Sequence, residues 1–128
     1  MNDVLPMPAG KELDVRVAKS VMGMKPPTAK GLIFTPPHYS TRDEDALALF
    51  HFLNEQGWNV SIHAAGIPPR QSYRVDVYCG RGPCERHGNK EHDWHGVESV
   101  VADSLALALS RAAVYAVESP SACRRLGL

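Results

Sequence analysis

The stretch Trp58-Asn-Val-Ser-Ile-His-Ala64, followed by Gly66 to Arg70 and then Tyr73-Arg-Val-Asp-Val-Tyr-Cys79, decides the fold class. Both runs alternate apolar and polar residues, the period of a half-buried strand. Val75 and Val77 therefore face one way, Arg74 and Asp76 the other. The connection holds Gly66, Pro68 and Pro69, so the pair reads as an antiparallel hairpin. Two strands cannot stand alone in water, so a third must come from Leu32-Ile33-Phe34 or from Val97 to Val101.

Upstream of the hairpin, Thr41-Arg42-Asp43-Glu44 matches a capping box, with Ser40 as the alternative cap. Asp43, Glu44 and Asp45 put negative charge at the positive end of a helix dipole. Ala46, Leu49, Phe50 and Leu53 then line one face and Gly57 stops the helix. Further upstream, Leu13, Val17 and Val21 recur every four residues, widened by Ala18 and Met22, so a first helix runs from Lys11 to Met22 and ends at Gly23. Two Pro-Pro pairs, Pro26-Pro27 and Pro36-Pro37, make the intervening segment a loop with Leu32 to Phe34 as an apolar plug. Downstream, a helix capped by Asp103 presents Leu105, Leu109, Ala112, Ala113 and Ala116, small enough at several positions to approach a sheet closely. The sequence thus implies an α+β domain over residues 11–118, with a flexible lead-in over residues 1–10 and a tail over residues 119–128.

The chain has 128 residues, 44% hydrophobic and 22% charged, with a net charge of zero. That length fits one domain with one core. Balanced charge argues against generic nucleic-acid binding, which needs surplus Lys and Arg. No apolar run approaches the roughly 20 residues of a membrane span, and no secretion signal opens the chain. A soluble, cytoplasmic protein without a membrane partner is the expectation. Cys79, Cys84 and Cys123 are odd in number, which favours reduced thiols or metal ligands over disulfides.

The Cys/His-rich loop over residues 79–96 carries the most suggestive chemistry. Cys79, Cys84, His87, His92 and His95 sit among Gly80, Gly82, Pro83 and Gly88. Zinc takes four thiolate or imidazole ligands in a tetrahedron, and Cys79, Cys84, His87 with one of His92 or His95 would supply them. A bound metal would offset the cost of ordering so long a loop. The C-x4-C spacing is wider than a zinc knuckle, so a solvated loop with chance histidines is the competing reading. A catalytic zinc would further need an open coordination position and a base such as Glu91 or Asp93. Trp94, set among polar residues, is a candidate anchor for a partner. Tyr39, Ser40 and Thr41 form a candidate ligand-binding corner, because free amides at a helix N-terminus attract phosphates and carboxylates. Plain capping is the alternative there. Trp58 reads as core, while His51 and His63 read as surface.

Several pieces recur in a recognisable order: Leu13-Asp14 through Gly23, Pro37-His38-Tyr39-Ser40-Thr41, Gly57-Trp58, Ala102-Asp103-Ser104 and Ser110-Arg111-Ala112-Ala113. Together, from Leu13 to Val117, the chain resembles the phage ABA-sandwich domain family, whose motifs are short. The resemblance implies a small antiparallel sheet with helices on both sides, and brings no activity and no catalytic residues. The Cys/His loop and the proline-rich approach to Tyr39 depart from that pattern. The expected function is that of a non-enzymatic phage or prophage accessory protein binding a bacterial host protein in the host cytoplasm. Alternatives are a sponge for a small nucleotide, a small zinc hydrolase or nuclease, and a structural component of the particle.

Overall fold

The first two helical stretches end where a glycine takes a backbone conformation that other residues rarely adopt. In the computed structural model, which describes residues 4–25, 35–78 and 99–118, α2 spans Asp43–Glu55 and closes on Gly57, whose φ is 94°. The Gly57 amide donates to the Asn54 carbonyl at 3.1 Å and the Trp58 amide to the Leu53 carbonyl at 2.9 Å. That is the Schellman arrangement, and it brings the buried Trp58 and Leu53 side chains into the core together. Helix α1, Lys11–Arg16, continues as a π-helical turn over Val17–Val21, marked by the Met22 amide donating to the Val17 carbonyl at 3.0 Å. Gly23, at φ 73°, terminates it.

The strands are β1 Asn59–Ala65, β2 Ser72–Tyr78 and β3 Val100–Ala102. They form one antiparallel sheet in the order β1-β2-β3, with Ile62 opposite Val75 and Val75 opposite Val100. The third strand comes from the downstream candidate; Leu32 to Phe34 lie outside the described residues. Val75 and Val77 are fully buried, as their alternation with Arg74 and Asp76 requires. The last helix, α3, spans Leu105–Glu118. Its cap is Ser104 rather than Asp103: the Ser104 Oγ accepts the Leu107 amide at 3.2 Å. The α+β class, the element order and the sheet with helices packed on it are as expected.

α3 occupies the centre. It packs on β2 and β3, while α2 packs on β1 and on α3. α1 and its π-turn lie against α3 and away from the three described strands. Consequently α3 is buried on most of its circumference, from Ala106 through Ala116, well beyond the stripe its leucines predict. Among the described residues α2 and α3 meet the sheet on the Val75–Val77 side, and the opposite side carries exposed His63, Arg74 and Val101.

In the N-terminal segment Val4 is fully buried and Met7 is 8% exposed, both within the core. The Arg111 guanidinium holds this segment by donating to the Met7 carbonyl at 2.8 Å. At the far end of α3, Arg16 pairs with both Glu118 oxygens, its Nη2 at 2.5 Å from Oε1, and the Ser20 hydroxyl donates to the same carboxylate at 2.6 Å. The π-turn contains Ser20, so the extra residue it inserts lies at this clamp.

Candidate functional site

The Tyr39-Ser40-Thr41 corner lies where the start of α1 meets the approach to α2. The Ser40 hydroxyl donates to Asp14 Oδ1 at 2.7 Å and the Ser40 amide donates to the same oxygen at 2.8 Å. The Ser40 Oγ in turn accepts the Gly10 amide at 2.9 Å. Asp14 is 2% exposed and Ser40 1%. A buried carboxylate persists only where hydrogen bonds replace its water, and Ser40 supplies two of them. The other oxygen, Oδ2, lies 3.9 Å from Nδ1 of the exposed His38 ring.

This geometry explains why the capping box does not form. Ser40 is drawn inward to Asp14, and the amides of Thr41 and Arg42 close a turn on the His38 carbonyl at 3.3 and 2.9 Å. Arg42 therefore takes the cap position, extended at φ −116°, with no side-chain cap bond. Glu44 pairs with Arg42 at 2.7 Å instead of reaching back to Thr41. Asp45 does reach back, its Oδ2 accepting the His38 amide at 2.8 Å.

Tyr39 is buried beneath the corner at 2% exposure. Burial, with Asp45 and then Asp14 nearby, pushes its phenol above the ordinary tyrosine value. Chemically, the corner is a strut joining two helix starts. The Ser40 hydroxyl faces a carboxylate in the interior, and Thr41 is exposed. An anion approaching the first turn of α2 meets Asp43, Glu44 and Asp45, whose charge opposes the attraction of the free amides.

Of the residues singled out in the sequence, the structure brings Tyr39 and Ser40 together around Asp14, with Thr41 on the outside. Cys79, Cys84, His87, His92, His95 and Trp94 lie outside the described residues. Among the described residues no group of three or more His, Cys, Asp or Glu side chains gathers as a metal site, and no helix is long and apolar enough to cross a membrane. His51 and His63 are exposed, and Trp58 is core, as expected. Asp14 is the residue that sequence reasoning missed. Its signal was its row: Asp14, Ala18 and Met22 stand four apart, so an acid lies in line with the apolar edge of α1.

A crystal structure of a phage protein from Bacillus cereus ATCC 14579 is similar in fold, with a TM-score of 0.52 and 20% identity. The match covers 88% of this chain and 93% of the other. No family model matches the sequence, and no curated protein matches it.

Proposed function

We propose that this chain is a phage or prophage accessory protein that acts in the bacterial cytoplasm by binding a host protein, without catalysis. The observation that carries the reading is the likeness to a phage protein along nearly the whole of both chains. Fold alone does not define function, so the corner matters as well. Its buried carboxylate and hydroxyl are matched to each other, which suits a scaffold that presents a surface better than a site that presents a nucleophile.

The test is capture from bacterial lysate with the tagged full chain, followed by reconstitution with the purified partner. The reading expects one host protein to be enriched in replicate captures and to co-elute with the chain at fixed stoichiometry. Replicate captures that enrich nothing, from lysates of several hosts, reject it. Zinc belongs to the same proposal as a structural ion held by Cys79, Cys84, His87 and one of His92 or His95. Elemental analysis of the purified chain should find about one zinc per molecule, the complement of a four-ligand site. Metal-free protein rejects that ion.

A further inference from the structure

We propose that the tip of the β1–β2 hairpin docks on the exposed face of α2 in a second copy of this chain, reciprocally, in a twofold dimer. The hairpin projects beyond the core. Every residue from Ile62 to Arg70 is exposed, including Ile67 at 81% and Ile62 at 39%. The arm is nonetheless ordered: seven cross-strand pairs hold it, and the Arg70 amide closes the turn on the Ile67 carbonyl at 2.8 Å. A rigid apolar tip loses little freedom on binding, which favours docking. Between Asn59 and Val75 the sequence has two arginines and no acidic residue, so the arm is cationic.

The complementary surface is on the same molecule. Asp43, Glu44 and Leu47 share the exposed face of α2, and Leu47 is 54% exposed. One large apolar side chain beside carboxylates thus matches one large apolar side chain beside an arginine. Gln56–Trp58 join α2 directly to β1 and the two elements pack together, so each chain carries both the tip and the α2 face on one body. Two chains related by a twofold axis can therefore make the contact twice, and a reciprocal pair closes on itself without building filaments. The second contact forms at high effective concentration once the first has formed. Opposite charge on one chain of zero net charge is why a second copy, rather than an acidic host surface, is the occupant named.

Sedimentation velocity on the full chain tests this, from about 1 µM to about 1 mM, the range over which a weak dimer assembles. The expected result is a reversible monomer–dimer equilibrium that weakens as NaCl is raised from about 50 to about 500 mM. Ile67→Lys should raise the dissociation constant at least about tenfold, the effect of removing an anchor. Arg70→Glu and Asp43→Arg should each weaken the dimer, and the two combined should restore it to within about threefold, since the pair is re-formed with signs exchanged. All three positions are exposed, and circular dichroism of each variant checks the fold. A chain monomeric throughout the range overturns the proposal, as do single reversals without effect or a double reversal without rescue. A monomer that captures an acidic host protein through Ile67 also overturns it, and assigns the arm to that partner.

Discussion

Replacing Asp14 with alanine removes the carboxylate that accepts both the amide and the hydroxyl of Ser40, at 2.8 and 2.7 Å. A hydrogen bond to a charged acceptor contributes about 1.5–3 kcal/mol, and a buried donor left unpaired costs a similar amount. Two such bonds to one oxygen would suggest up to about 6 kcal/mol, but the mutation also relieves the cost of keeping a carboxylate 2% exposed. The net loss should be about 2–4 kcal/mol, a large part of the roughly 5–15 kcal/mol that holds a domain together. At about 3–5 °C per kcal/mol for a chain of this size, the melting temperature should fall by roughly 6–20 °C. Thermal and urea unfolding followed by circular dichroism at neutral pH measure both quantities. Ser40→Ala should cost less, about 1.5–3 kcal/mol, because the amide bond to Asp14 survives. The double variant should fall short of the sum by about 1–2 kcal/mol, since both single changes remove the same bond. An Asp14→Ala protein melting within about 3 °C of the unaltered chain, or strictly additive effects, would refute the strut.

Three further outcomes follow from other parts of the structure. Among the described residues the Ser110 hydroxyl, buried in α3, has no hydrogen-bond partner, so Ser110→Ala should leave stability unchanged or raise it by up to about 2 kcal/mol; clear destabilisation in urea would contradict that orphaned state. The folded-state pKa of Tyr39 is raised, so its contribution is complete below about pH 10 and is lost as pH rises above the unfolded value. Tyr39→Phe should flatten that alkaline loss in urea midpoints taken on either side of about pH 10, and an unchanged slope counts against it. At Gly66 φ is 88° and an added Cβ would strike the Arg70 carbonyl oxygen. Gly66→Ala should therefore cost about 1–3 kcal/mol and speed amide exchange along β1, whereas a loss under about 0.5 kcal/mol would show that the turn relaxes freely.

The parts of the fold that could be read in advance are those governed by local periodicity. Val75 and Val77 alternate with Arg74 and Asp76, and that alone orients β2. Leu49 and Leu53 mark the buried face of α2, and Gly57 marks its end. Position in the molecule is a different matter, because it depends on residues far apart in the chain. α3 carries a leucine–alanine stripe, yet its further burial arises because α1 covers a side the sheet does not reach. Val4 and Met7 show no period, yet both are core, in a segment that Arg111 fastens at the Met7 carbonyl. Capping rules are local, whereas Ser40 answers to Asp14, 26 positions away. The Cys/His loop is conspicuous by composition, and its candidate ligands fall outside the described residues.

The central seat of α3 also bears on how the chain is made. Residues 4–102 leave the ribosome before this helix does, and the sheet, α1 and α2 all wait for it as their common filling. The nascent chain therefore carries Val75, Val77, Leu13 and Leu49 uncovered until residue 118 clears the exit tunnel. Translation stalls or premature stops before Leu105 should yield a sticky product for chaperones and proteases to clear.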